Sequence, residues 1–462
     1  MSVKYMRDQQ YPPGPAGEFF FGSSRALARD RLGFITQCRE TYGDFVHLRM
    51  FGRHAYLIND PELVRFVLVE HPEFFQKTPI FKRATRNIIG NGLLTSEGDF
   101  HKRQRRLAQP AFHHQRIMTY GDIMVDFTQM MLDEWESHET LDIHEEMMQL
   151  TMRIVARTLF HADVAEGAHE IGEAITAGLR YATRRTSTPL ALPDWVPTRA
   201  NREAKQRIAI LHQTIDRVIN EHRAANTDQG DLLSMLMLAE DEHGERMSDQ
   251  QLRDEAMTIF IAGHETTANA LTWTFFLLAQ YPEIERKLQD EVAVLNQTPP
   301  TVADLARLPY TEMVIKESMR LYPPAWIVPR LAVSDFELGG YPIRRNSVLF
   351  TSPYTLHRHP RYFPGPERFS PERWTAEWEN SLPRYAYFPF GGGPRVCIGN
   401  GFAMMETRLV MATILQRSHL RLAAGQQIIP EPVITLRPSH GIQMRVMMQE
   451  QRLNSVVSEQ LN

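Results

Sequence analysis

Apolar residues recur at three- and four-residue spacing through Gln115–Glu134 and Asn201–His222, the stripe by which an α-helix lays one face on a core. The same periodicity fills most of the chain from Pro61 to Tyr322. Short strand-like runs lie nearer both ends. Phe45–Met50 and His54–Ile58 flank a Phe51-Gly52 turn, and Val433–Arg437 and Ile442–Val446 flank Pro438-Ser439-His440-Gly441, so each pair reads as a hairpin. The pattern predicts a mainly α fold with small peripheral β-sheets.

The sharpest helix signal begins at Ser248. Ser248-Asp249-Gln250-Gln251 has the form of a capping box, Met247 and Leu252 can staple across it, and Pro282 stops the helix. A helix from Asp249 to Tyr281 is about 50 Å long at ~1.5 Å per residue, roughly the diameter of a protein this size, so it must cross the core. Its stretch Met257 to Ala279 is the most apolar in the chain, yet His264, Glu265, several threonines and Asn269 interrupt it. A membrane span needs ~18 or more uninterrupted apolar residues, so a buried core helix is the expectation.

Composition narrows the class. Of 462 residues, 43% are hydrophobic and 23% charged, enough to bury a large core, which excludes disordered and disulfide-scaffold classes. No repeat, low-complexity block or Pro/Gly/Ser linker divides the chain, which predicts an N-terminal arm over 1–16 containing Pro12, Pro13 and Pro15, one domain over 17–448 and a polar, fraying tail over 449–462. A net charge of -4 supplies no global basic field for nucleic acid. Met1–Tyr11 lacks the apolar core of a secretory signal, and two cysteines, Cys38 and Cys397, suit a reducing compartment, the cytoplasm.

Candidate chemistry concentrates around one of those cysteines. Phe390-Gly391-Gly392-Gly393-Pro394-Arg395-Val396-Cys397-Ile398-Gly399 precedes a helical pattern over Phe402–Gln416. A thiol there is exposed to the positive end of the helix dipole and to Arg395, both of which favour thiolate, the form that ligates iron. The glycines let the backbone lie flat against a large planar ligand and aim N–H groups at the sulfur. A dinucleotide loop fails on spacing, because G-x-G-x-x-G from Gly391 needs glycine where Val396 stands. Cys38, inside the helical pattern Gly33–Glu40, reads as a buried, inert thiol.

Phe390, Gly393, Arg395, Cys397 and Gly399 resemble the haem-binding loop of the cytochrome P-450 superfamily, and further matches follow in order over nearly the whole chain. The resemblance implies haem b, its iron held by Cys397, between the long central helix and the helix after the Cys loop. It also implies a role for Ala262-Gly263-His264-Glu265-Thr266-Thr267, where a local bulge opens a groove for dioxygen and Glu265 and Thr266 relay protons as the catalytic pair. Phe260, Ile261, Phe275 and Phe276 around Glu265 make a solvated face improbable there. Glu317 and Arg320 match the family's Glu-x-x-Arg, whose third member is the arginine of Pro371-Glu372-Arg373-Trp374; the near copy Pro366-Glu367-Arg368-Phe369 leaves Arg368 open as the alternative. Haem propionates imply cationic partners, here His101 in place of the family's tryptophan, Arg105, Arg330 and Arg395.

By the same resemblance the substrate pocket is lined by Phe81, Ile88, Ile89, Ile261, Ala262, Ala325, Trp326 and Ile327, which implies a lipophilic molecule of fatty-acid, terpenoid or carotenoid type. The implied activity is a monooxygenase using O2 and two electrons from an external ferredoxin or flavodoxin with its reductase, since no flavin- or nicotinamide-binding segment follows. The alternatives are a peroxide-driven peroxygenase, against which Glu265-Thr266 speaks, and a haem sensor or carrier without turnover. Lys102, Arg103 and Arg106 are expected to point outward as a positive docking patch. A monomer without stable membrane insertion completes the expectation.

Overall fold

A computed structural model describes residues 11–162, 168–187, 195–225, 227 and 229–448. The expected polar tail over 449–462 and most of the N-terminal arm lie outside the described residues. Helices dominate, and the strands, in chain order, are β1 (Phe45–Met50), β2 (Arg53–Ile58), β3 (Phe75–Gln76), β4 (Thr140–Asp142), β5 (Val328–Ala332), β6 (Phe336–Leu338), β7 (Tyr341–Ile343), β8 (Val348–Thr351), β9 (Ser418–Leu422), β10 (Pro430–Pro432), β11 (Leu436–Pro438) and β12 (Gln443–Met448). The chain divides into two compact units, each assembled from separated segments.

The first unit comprises residues 11–82, Arg320–Arg368 and Thr375–Cys397. Its sheet has the order β1-β2-β8-β5-β3, with β2 and β8 parallel and the other pairs antiparallel. The β1–β2 hairpin forms as the sequence predicts, Phe45 opposite Ile58, because Phe51 and Gly52 both take positive φ and so match the twist of the strands. Tyr56, Ile58, Val64, Leu68, Leu349, Leu356 and Phe388 form its core. Cys38 is buried in the helix Arg31–Tyr42, and that burial pushes its thiol up to about 11, the inert thiol expected.

The second unit comprises Arg83–Met319, Phe369–Trp374 and the chain from Ile398 onward. At its centre the helix Asp249–Gln280 runs 32 residues, opened by the expected capping box: Gln251 N donates to Ser248 Oγ at 3.3 Å and Ser248 N to Gln251 Oε1 at 2.8 Å. The helices Ile143–Phe160 and Asn400–Arg417 pack against it. The helical pattern over Gln115–Glu134 is broken once, into His114–Met118 and Gly121–Trp135, because Thr119 turns its hydroxyl back to the Arg116 carbonyl at 2.8 Å and tightens the turn there.

The expected C-terminal hairpin is corrected. β11 pairs with β10 around the turn Val433–Thr435, whereas β12 leaves at Gly441 and joins a separate sheet of order β4-β12-β9. Gly441 has a φ of +70°, and a Cβ there would lie 1.7 Å from Asp142 Oδ2. The Asp142 carboxylate also accepts from Ile442 N at 3.0 Å, so this aspartate draws β12 to β4 instead of to β11.

Candidate active site

In the first unit the Cys397 loop is closed on itself. Cys397 N donates to the Phe390 carbonyl at 3.0 Å, and Val396 N donates to the Gly393 carbonyl at the same distance. Gly391 and Gly393 take φ of +73° and +64°. A Cβ on Gly393 would meet the Leu68 carbonyl oxygen at 2.0 Å, and one on Gly392 would meet the Tyr385 ring at 2.5 Å. Only glycine lets this loop lie so close to its neighbours. Cys397 is nonetheless exposed, with Phe390 and Arg395 half-buried beside it in sequence. Arg330 is buried on β5, one of its guanidinium nitrogens donating to the Pro329 carbonyl at 3.0 Å.

The Glu-x-x-Arg helix, Pro309–Leu321, contributes to both units. In the first, the fully buried Arg320 guanidinium donates to the carbonyls of His357 (2.9 Å), Pro366 (2.6 Å) and Arg368 (3.0 Å). In the second, the fully buried Glu317 carboxylate accepts from Arg373 Nε at 3.0 Å, Ser370 N at 2.9 Å and Trp374 Nε1 at 2.9 Å. Of the two arginines the sequence left open, Arg373 reaches Glu317 with its guanidinium, and Arg368 offers Arg320 only its carbonyl. Trp374 is a partner that the motif spelled out but sequence reasoning passed over.

Along the long helix, accessible surface returns at Ala262, Gly263 and Thr266, although Ile259–Ile261 and Thr267–Phe275 are buried. Ala262 and Thr266 stand at i and i+4, so they share one face. No bulge opens the helix there; it stays α-helical throughout, and Thr266 and Thr267 turn their hydroxyls back to the carbonyls of Ala262 (2.8 Å) and Gly263 (3.1 Å). The two members of the expected catalytic pair are placed differently. Glu265, about 100° around the helix from Thr266, is buried and accepts from the Thr435 hydroxyl at 2.7 Å. Burial raises its pKa, the Thr435 bond and Arg437 opposing. Asn269 Nδ2 donates to the same hydroxyl at 3.4 Å, and Trp273 Nε1 donates to the Leu436 carbonyl at 3.0 Å. Residues 265, 269 and 273 thus form a stripe that grips the β10–β11 turn.

His264 is fully buried, and burial pulls its pKa down to about 4. Its Nδ1 lies 3.1 Å from the Phe260 carbonyl, which makes that nitrogen the N–H donor of a neutral ring. Glu406, on the helix after the Cys loop, is fully buried, and burial lifts its pKa well above the usual carboxylate value, the Thr267 hydroxyl opposing. Nothing in its sequence neighbourhood marks it beyond a charge among Met404, Met405 and Leu409.

The helix Gly98–Ala108 carries the expected propionate partners. His101 is buried and Arg105 half-buried at i and i+4, one face of the helix. Between them Gln104 is fully buried and neither polar atom of its amide has a hydrogen-bond partner. The outward face does not make the expected positive patch. Lys102 pairs with Asp99 at 2.9 Å, Arg103 Nε with Asp241 at 2.6 Å and Arg106 with Glu242 at 2.7 Å. Arg103 also donates to the Glu245 carbonyl, and its bond to Asp241 pulls that carboxyl down to about 2. The sequence could not show the Arg103 and Arg106 pairs, because Asp241 and Glu242 lie 138 and 136 positions away.

The pocket set divides by accessibility. In the first unit Phe81, Ala325 and Ile327 keep accessible surface, while Trp326 is buried. In the second, Ala262 is accessible, and Ile88, Ile89 and Ile261 are buried; Ile88 lies against the position of Gly178.

These residues suit a haem. In the first unit a single exposed thiol, Cys397, stands on a glycine-flattened loop, a donor of the kind that holds haem iron. The orphaned Gln104 amide beside His101 and Arg105 and the open Ala262–Thr266 face match what a large, partly anionic planar group requires. The cytochrome P450 family model matches residues 12–446. The chain belongs to the cytochrome P450 family. It is 41% identical over 434 residues to cyclooctatin synthase of Streptomyces melanosporofaciens, covering 93% of this chain and 94% of that one. It is 34% identical to pentalenene oxygenase of Streptomyces avermitilis over 427 residues, 92% of this chain and 94% of the relative. A crystal structure of the cytochrome P450DA heme domain superposes with a TM-score of 0.86 at 28% identity, covering 95% of this P450 and 98% of that chain. The fold is therefore the mainly helical P450 fold, and the protein is a haem-dependent P450 monooxygenase that uses O2 and redox partners. Among the described residues no helix is long and apolar enough to cross a membrane.

Proposed function

We propose that this P450 hydroxylates a terpenoid, with Cys397 as thiolate ligand of haem b. The observation that carries the substrate class is the resemblance, over about nine-tenths of the chain, to enzymes named cyclooctatin synthase, cyclooctat-9-en-7-ol 5-monooxygenase and pentalenene oxygenase. The accessible apolar groups at Phe81, Ala262, Ala325 and Ile327 agree with a lipophilic molecule.

The haem, when bound, supplies oxygen activation and the two-electron chemistry. The chain supplies orientation and protons. The closed Phe390–Cys397 loop holds the thiol in one place, and Arg330, His101, Arg105 and Arg395 would neutralise the propionates. Thr266 holds a proton on Oγ1 at the accessible face; in passing it on, the hydroxyl gives up its bond to the Ala262 carbonyl and takes a replacement proton from water. Glu265 serves the β10–β11 turn instead of this transfer. The electron donor is a ferredoxin or flavodoxin, docking away from the neutralised Lys102–Arg106 face, and two cysteines that form no disulfide suit a reducing cytoplasm.

An optical titration of the ferric protein against pentalenene, a linear fatty acid and β-carotene tests the substrate class. A low-to-high-spin shift confined to the terpene, followed by a hydroxylated product with O2 and a surrogate ferredoxin system, is the expected result. A shift only with fatty acid, or turnover only with hydrogen peroxide, overturns the reading.

A further inference from the structure

Upstream of its accessible face, the long helix spends two successive acids on one loop. The segment Gly90–Leu93 leaves the helix Pro79–Ile89 and lies along residues 254–258 of the long helix, within the second unit. Asn91 N donates to Asp254 Oδ2 at 2.8 Å, and Leu93 N donates to Glu255 Oε2 at 2.8 Å. Gln250 Nε2 holds the other Asp254 oxygen at 2.7 Å, and the Thr258 hydroxyl donates to the Ile89 carbonyl at 3.3 Å. The approach leaves no room for side chains: a Cβ on Gly90 would lie 2.0 Å from Asp254 Oδ1, and one on Gly92 2.2 Å from Thr258 Oγ1. Two glycines, two carboxylates and a threonine therefore match one another residue for residue across more than 160 positions of sequence.

Glu255 is almost completely buried, and its second oxygen has no hydrogen-bond partner. Burial, with Asp254 beside it, pushes its pKa up to about 8, so near neutral pH it is largely an uncharged acid that still accepts from Leu93. A leucine would fill the site without that desolvation cost, but only an acceptor can satisfy the Leu93 N–H.

We propose that Asp254 and Glu255 are positioning residues for substrate. By clamping the 90–93 loop to the long helix they fix the junction between the helix that carries Phe81, Ile88 and Ile89 and the helix that carries His101 and Arg105. The fit of an apolar molecule at the haem is thereby set by two carboxylates that do not touch it. This rests on the haem and pocket assignments above but not on the terpenoid reading, because its probes are imidazole and 4-phenylimidazole, which differ only in the apolar ring the pocket must accept.

The test uses the purified holoprotein and its Glu255→Gln, Glu255→Leu and Gly92→Ala variants. Amide hydrogen exchange is followed over the peptide spanning 90–96, with haem content and the carbon monoxide difference spectrum as controls. Glu255→Gln retains an acceptor and should behave as the parent. Glu255→Leu and Gly92→Ala should speed exchange at Asn91 and Leu93 at least tenfold and cut the preference for 4-phenylimidazole over imidazole at least fivefold, with the carbon monoxide spectrum unchanged. Unchanged exchange, or faster exchange with an unchanged preference in both variants, overturns the proposal. Should Glu255→Leu fail to fold, Gly92→Ala still decides, since it pushes the loop off the helix with both acids in place.

Discussion

The Glu265 carboxylate accepts the Thr435 hydroxyl at 2.7 Å and so turns its back on Thr266, its neighbour in sequence. Successive residues on a helix point about 100° apart, so one of the two must leave the accessible face, and the β10–β11 turn captures Glu265. Burial raises the Glu265 pKa while Thr435 donates to it, so the carboxyl is held at the β10–β11 turn.

The two residues should therefore separate in experiment. Thr266→Ala is expected to leave probe binding intact and divert most electrons to hydrogen peroxide, a general-acid loss typically of ~10²–10⁴-fold in the step it serves. Glu265→Gln keeps an acceptor for Thr435 and should retain coupling within about twofold, whereas Glu265→Leu should cost about 1–3 kcal/mol by stranding that hydroxyl. Peroxide yield per electron pair and thermal melts read both effects; equal uncoupling in Glu265→Gln and Thr266→Ala would restore Glu265 to the proton path.

Arg373→Ala should be among the most damaging single changes. It removes the Arg373 Nε bond, 3.0 Å long, from the fully buried Glu317 carboxylate, to which Ser370 N and Trp374 Nε1 also donate. Breaking one side of a buried ion pair costs about 3–5 kcal/mol, so little holoprotein should accumulate. Arg368→Ala preserves the carbonyl that Arg320 uses and should fold normally. Haem content of the two variants after parallel expression distinguishes them.

Electron delivery should be insensitive to the Lys102–Arg106 face. Because Arg106 already pairs with Glu242, reversing it exchanges a neutral surface pair for a repelling one and should alter stability by less than about 1 kcal/mol. Stopped-flow reduction by a ferredoxin should change by less than about twofold in Arg106→Glu; a large slowing that high salt abolishes would return the docking site to this helix.

Stability should decline as pH rises, with Glu406 as one cause. Its pKa is raised in the folded protein above the unfolded value near 4.5, so the folded state holds the extra proton. Its contribution is thus intact below pH ~4.5 and is lost progressively at higher pH, toward the folded pKa. Glu406→Gln carries no ionisation and should raise the melting temperature at pH 8 more than at pH 5. An equal effect at both values would show that this carboxyl is ionised in the folded state.

The sequence by itself determined whatever depends on neighbours along the chain. The capping box at Ser248, the Phe51-Gly52 hairpin, the Cys397 loop and the long helix are local, because hydrogen bonds over a few residues and the period of apolar positions define them. Tertiary structure decided the rest, where partners are far apart in sequence and several are chemically equivalent. Whether Arg368 or Arg373 meets Glu317, whether β12 pairs with β11 or with β4, and whether Arg103 stays a free cation or finds Asp241 all turn on packing that brings distant segments together. Glu265 shows the division most plainly: its place on the helix was legible, but the direction in which it is satisfied depended on Thr435, 170 residues away. A buried polar group takes the partner that the fold delivers, because leaving it unpaired costs more than any local preference.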